Sequence, residues 1–224
     1  MQLDLSNYNV VVVNTSNDPQ AGLLLAASVY SLDNKVLLHR EEKREAVADA
    51  LTDGFRLELA PLLSSEGIVL VNLELGNSSG EIVSRNFYWL GENNASYRRL
   101  NHLPPASVSA TAKSTREGAI IHVHIELRNA GTSVSLADKL TLLNAAYGSR
   151  ILPAYYTDNY VSLLPGESPN RNRLSREVSQ RPGATIFARM EPHKASSSSP
   201  LIQGSRNALL GGAALQRRNQ HMLT

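Results

Sequence analysis

The hydrophobic positions of this chain fall in short runs separated by polar turns, with the spacing of strands. Residues 8–14 form a β-branched run that ends in Thr15-Ser16-Asn17-Asp18-Pro19, which is strong turn chemistry. Residues 23–30, 35–39, 55–59, 68–75 and 81–90 repeat the arrangement, punctuated by Ser31-Leu32-Asp33-Asn34 and Gly76-Asn77-Ser78-Ser79-Gly80. Short strands at near-regular spacing predict an antiparallel sandwich here. Residues 40–51 compete with that reading. They combine good helix formers with alternating charge, and the sequence alone leaves helix and strand both open.

Residues 91–103 are rich in Asn, Arg and Ser and run into Pro104-Pro105, a domain boundary by composition. Residues 107–110 open a second set of strands. The cleanest alternation lies at 120–128: Ile121, Val123, Ile125 and Leu127 face one side, and His122, His124, Glu126 and Arg128 the other. That pattern describes a sheet with one wet face. Asn129-Ala130-Gly131-Thr132 makes the next turn, and 139–143, 150–156 and 160–164 supply further strands. The expected fold is all-β: two tandem immunoglobulin-like antiparallel β-sandwiches followed by a basic, low-order tail. The first is expected at 1–100, the second, incomplete, at 101–168, and the tail at 169–224.

Composition fits two small sandwiches. The chain has 224 residues, 42% hydrophobic and 19% charged, which suits a folded core. It has no cysteine, so disulfides, thiolate metal sites and a cysteine nucleophile are excluded. The net charge of +2 conceals an asymmetry: residues 1–168 carry 13 basic against 18 acidic side chains, the tail 9 against 2. Nucleic-acid binding is therefore not expected of the folded part. No run approaches the roughly 20 apolar residues of a membrane span, so no membrane role is expected. Residues 1–6 do not read as a secretory leader, though a start inside a longer protein looks the same.

Little in the chain looks catalytic. There is no Gly-rich phosphate loop and no Gly-x-Ser-x-Gly elbow. His122 and His124 share one strand face and would hold a metal only with a third ligand from elsewhere; the simpler reading is two solvent-facing side chains. Neither a metal nor a cofactor is expected. Glu58, Glu74, Glu81 and Glu126 lie on alternating strands, which favours solvent-facing roles, and no acid–base pair is nominated. Phe87 and Trp89, two apart, are expected to fill the sandwich core or the domain junction. Tyr155, Tyr156, Asp158 and Asn159 are the candidate carbohydrate-binding residues, since aromatic faces stack on sugar rings and the polar pair suits hydroxyls. Asn14-Thr15-Ser16, Asn77-Ser78-Ser79 and Asn94-Ala95-Ser96 are formal glycan acceptors, relevant only in a secretory compartment.

Two stretches together are more specific. Asn86-Phe87-Tyr88-Trp89-Leu90 resembles a segment of family 2 glycoside hydrolases of the mannosylglycoprotein endo-β-mannosidase and exo-β-D-glucosaminidase type. Leu152-Pro153, Asp158-Asn159-Tyr160 and Leu164-Pro165-Gly166-Glu167 are similar to a second segment of the same enzymes. The likeness covers residues 3–168. It implies the C-terminal accessory sandwiches of a hydrolase whose catalytic glutamates sit in a (β/α)₈ barrel. A barrel needs about 250 residues, more than this chain holds. The resemblance therefore implies no catalytic residue here, no turnover by the chain alone, the parent's missing barrel as intramolecular partner, and a β-linked oligosaccharide as ligand. After Ser168 the family continues into a final alternating strand, whereas this chain runs into Pro169-Asn170-Arg171-Asn172-Arg173. A shifted frame or altered splice end would give such a sequence, and the second sandwich is expected to stop one strand short.

Overall fold

The computed structural model describes residues 1–118, 120–144 and 148–166, together with backbone strands at 172–177, 186–191 and 213–217. The chain divides into two compact units, Met1–Leu103 and Pro104–Thr224.

The first unit contains β1 (Gln2–Leu3), β2 (Asn9–Asn14), β3 (Gln20–Tyr30), β4 (Val36–Ala46), β5 (Ala50–Arg56), α1 (Leu59–Glu66), β6 (Ile68–Gly76) and β7 (Ile82–Gly91), then a 3₁₀ turn at Ser96–His102. Its strands form two antiparallel sheets, ordered β1-β2-β5 and β4-β3-β6-β7. Alternation decides which side chains lie between them. Val10 and Val12 of β2, Leu25, Ala27 and Val29 of β3, and Val69, Val71 and Leu73 of β6 make one core cluster, none more than 3% exposed. Period-two spacing puts each set on a single strand face.

Residues 40–46 and 50–51 are strand, joined by a turn at 47–49, and none of the segment is helix. β4 pairs with β3 from Gln20↔Ala46 to Tyr30↔Val36, and β5 pairs with β2. Asp49 reverses the chain between them in the left-handed region (φ 44), a conformation that Asp tolerates better than most residues. The charges that read as helical lie along a sheet edge, where Arg40 and Arg44 both pair with Glu42. A charged edge of this kind discourages pairing with another chain.

The strand expected at 55–59 is likewise corrected: β5 ends at Arg56, and Leu59 begins α1. Phe55, Leu57 and Leu59 are nevertheless all buried, as their alternation required. Leu59 and Leu63, four apart, bring one helix face onto the core. Gly67 ends the helix at φ 72, its N–H donating to the Leu63 carbonyl at 2.7 Å. Phe87 and Trp89 do not fill this core. Tyr88 and Leu90 pack against it, and the intervening aromatics take the opposite face, half-buried. There Trp89 lies opposite Leu70 and Phe87 opposite Asn72.

The second unit contains β8 (Val108–Glu117), β9 (Ile120–Asn129), β10 (Ser135–Asn144), β11 (Tyr155–Tyr156), β12 (Val161–Leu163), β13 (Asn172–Glu177), β14 (Ile186–Glu191) and β15 (Ala213–Arg217). The sheet orders are β11-β13-β9-β8 and β12-β10-β14-β15. β8 and β9 form a hairpin from Val108↔Asn129 to Glu117↔Ile120, with Gly118 in its turn at φ 59. Val123, Ile125 and Leu127 are at most 1% exposed and meet Leu140, Leu142, Val161 and Leu163 in a second core.

Beyond Ser168 the described residues include three more strands. β13 pairs antiparallel with β9 (Asn172↔Ile125 to Glu177↔Ile120), and β14 pairs with β10. β9 is therefore bracketed by partners on both sides. β14 and β15 pair in parallel, unlike the antiparallel pairing of the other strands described. The remaining tail residues, where low order was expected, lie outside the described residues.

Candidate functional site

The segment from Tyr155 to Tyr160 crosses from β11 to the start of β12. Its side chains divide into two groups. Asn159 Oδ1 accepts the Leu140 N–H at 2.7 Å, and its Nδ2 donates to the Leu140 carbonyl at 3.1 Å. The amide thus pairs with β10 as a neighbouring strand's peptide would, satisfying both backbone groups of one residue. The Tyr156 hydroxyl oxygen accepts the Leu142 N–H at 3.2 Å, two residues further along the same strand. Burial raises the Tyr156 pKa, and the Leu142 N–H and the Arg150 charge partly oppose this. Both side chains are engaged in holding β10.

The others face water. Tyr155 is 64% exposed and Tyr160 60%. Asp158 is exposed and accepts the Asn159 N–H at 2.7 Å. Tyr160 adopts φ 60, uncommon for a bulky side chain, with its N–H donating to Asn159 Oδ1 at 2.9 Å. The Lys139 ammonium lies 6.0 Å from the Tyr160 ring centroid. Of the four candidates, Tyr155 and Asp158 present themselves to solvent, while Tyr156 and Asn159 have their polar groups committed. That commitment was not readable from the sequence, because the partners lie 14 and 19 residues away.

His122 lies 3.5 Å from Glu117, and no group of three or more metal-ligating side chains occurs among the described residues. Glu74 pairs with Arg85 at 2.6 Å. No helix among the described residues is long and apolar enough to cross a membrane.

A second surface was not foreseen. On the outer face of the β1-β2-β5 sheet, Val13 lies directly opposite Leu51, and both are exposed, 44% and 59%. Leu5 is 57% exposed nearby, and an open depression of about 410 Å³ runs between Leu3, Leu5, Val11 and Leu51, rimmed by Asp4, Asn7 and Asp53. Alternation read outward from Val10 and Val12 would have found it.

Two antiparallel sandwiches of this form, the second with its Asp-Asn-Tyr segment bound to β10, define immunoglobulin-like domains. Residues 86–181 match the family of exo-β-D-glucosaminidase Ig-fold domains. The match runs past Ser168 into β13, beyond the point where the likeness had been expected to end. An exo-β-D-glucosaminidase of Arthroderma benhamiae is 25% identical over 199 residues, 79% of this chain and 22% of that enzyme. One from Streptomyces avermitilis is 28% identical over 75% of this chain and 21% of its own length. A mannosylglycoprotein endo-β-mannosidase of Lilium longiflorum is 23% identical over 76% of this chain. The fold is also that of an exo-chitosanase of Amycolatopsis orientalis (TM-score 0.75, 24% identity), over 85% of this chain and 25% of that one. The chain corresponds to a partial, accessory region of such glycosidases and spans about a fifth of the curated relatives it matches.

Proposed function

We propose that the chain is a non-catalytic accessory module of an exo-β-D-glucosaminidase- or β-mannosidase-like glycosidase, and that it buttresses a catalytic (β/α)₈ barrel. The observation that carries this reading is the exposed Val13–Leu51 pair on the outer face of β1-β2-β5. An exposed Val–Leu cross-strand pair beside a largely polar depression offers a small apolar contact that a partner surface would cover. Two measurements test the reading. The purified chain should not turn over aryl-β-D-glucosaminide, aryl-β-mannoside or chitosan oligomers. Grafted in place of the matching region of the A. orientalis enzyme, it should support activity, and Val13→Lys with Leu51→Lys should abolish that support. Hydrolysis by the isolated chain, or a doubly substituted graft as active and stable as the parent graft, would overturn it.

A second reading is favoured by the exposure of Tyr155 and Asp158. They would contact a β-linked oligosaccharide, Tyr155 stacking on a pyranose and Asp158 accepting from hydroxyls, either at the rim of the parent's site or as an autonomous carbohydrate-binding module. Calorimetric titration with glucosamine- and mannose-containing oligosaccharides tests it. Saturable binding lost on Tyr155→Ala supports this reading, and no binding at millimolar ligand ends it.

A further inference from the structure

The three Asn-x-Ser sequons occupy very different positions in the fold. Asn14 is 9% exposed, and its Nδ2 donates to two carbonyls, Asp18 at 2.8 Å and Val47 at 3.1 Å. Its Oδ1 accepts from the Ser16 N–H and hydroxyl. Both amide hydrogens are therefore in use inside the first sandwich. Asn77 differs. Its side-chain hydrogen bonds fall on Oδ1, which accepts from the Ser79 N–H, the Ser79 hydroxyl and the Glu81 N–H at 2.8 to 3.1 Å. It opens the turn to Gly80, where an added Cβ would meet nothing within 4 Å. Asn94 is exposed at the turn that leads into the 3₁₀ segment, where the neighbouring Asn93 makes the turn's side-chain hydrogen bonds.

From this contrast we infer that Asn77 and Asn94 are N-glycan acceptors of the folded chain whenever it is delivered to a secretory lumen, and that Asn14 is not. Attachment joins Nδ2 to the anomeric carbon of an oligosaccharide. The bond from that carbon to a polyprenyl pyrophosphate breaks, the pyrophosphate leaves, and one Nδ2 proton is lost to base. Oδ1 and one N–H remain. At Asn77 the Oδ1 hydrogen bonds survive that exchange, and at Asn94 the side chain already faces water. At Asn14 one of the two Nδ2 bonds must be given up, and a bulky, solvated group must leave through a buried site. A chain modified there would not close its first sandwich.

Translation of the 224-residue chain behind a cleavable leader, in the presence of microsomes, reads this directly. Protease-resistant product is deglycosylated by amidase and compared with Asn14→Gln, Asn77→Gln and Asn94→Gln forms. Two glycans are expected on resistant chains, one lost in each of the Asn77 and Asn94 variants. Peptide mass spectrometry of the resistant unsubstituted chain should find Asn14 unmodified; this readout does not depend on whether the Asn14 variant folds. A glycan on Asn14 in resistant chains, or none on either Asn77 or Asn94, would overturn the inference.

Discussion

The two units close their sandwiches with the same device, built from unrelated turns. In the first, Asn14 ends β2 and its Nδ2 donates to the carbonyls of Asp18, four residues on, and Val47, 33 residues on. In the second, Asn129 ends β9 and its Nδ2 donates to Ser133, again four residues on, and Leu163, 34 residues on, at 2.8 and 3.1 Å. Each Oδ1 accepts an N–H two residues ahead, from Ser16 in one and Gly131 in the other. The turns themselves, Thr15-Ser16-Asn17-Asp18 and Ala130-Gly131-Thr132-Ser133, share no residue at matching positions. The requirement is therefore a physical one. Where a core strand leaves its sheet, carbonyls of a local turn and a distant loop both need donors, and a single amide supplies both.

The units differ around that common device, and the differences rank the expected effects. The first adds α1, whose Leu59 is fully buried. Leu59→Ala should be the most damaging single change, costing about 3–5 kcal/mol in urea unfolding and leaving the second unit's transition where it was. A loss of less than about 1 kcal/mol would show that α1 is peripheral. Next come the staples. Asn129 is 0% exposed and Asn14 9%, so water relieves the orphaned carbonyls better in the first unit. Asn129→Ala should cost about 2–4 kcal/mol and Asn14→Ala roughly 1 kcal/mol less. Equal losses would deny the role given to burial.

Gly131 gives a smaller effect. A Cβ there would meet the Ser107 nitrogen at 2.8 Å, whereas the corresponding position of the first unit is occupied by Ser16. Gly131→Ala should cost about 1–3 kcal/mol, and Ser16→Ala less than that; both are read by thermal unfolding. The smallest effect is at Tyr156. Its pKa is raised by burial above the unfolded value of 10.0, so the folded state holds its proton more tightly. Stability should therefore be at its full value below pH 10 and fall as pH rises through about 10 and beyond, the direction set by the linkage relation. Tyr156→Phe should remove that alkaline decline and cost about 1 kcal/mol at neutral pH through the unpaired Leu142 N–H.

Where packing followed local alternation, the sequence was readable. The faces of β9 came out as expected because Val123, Ile125 and Leu127 have no helical periodicity to compete with. Residues 40–51 were ambiguous because their helix propensity is real, and only the ladder to β3 overrides it. α1 was missed because Phe55, Leu57 and Leu59 keep a strand's period across a boundary where the backbone changes form. At the candidate site the Asp-Asn-Tyr segment stood out at once, yet its division of labour did not. Asn159 and Tyr156 read as ligand contacts, and only tertiary structure shows them bound to Leu140 and Leu142. The strands at 172–177, 186–191 and 213–217 carry no strict apolar alternation that would mark them in the sequence.

The paired staples have one more consequence, which concerns how such a protein ages. Hydrolysis of an asparagine amide exchanges a nitrogen carrying two hydrogens for a bare oxygen, with almost no change of shape. At Asn129 that oxygen would face the carbonyls of Ser133 and Leu163, and at Asn14 those of Asp18 and Val47. Acceptor would then meet acceptor twice, with a negative charge added in a place that water barely reaches. One atom thus separates a closed sandwich from a self-repelling one, and substitution by aspartate, mild on most surfaces, is severe at these two positions.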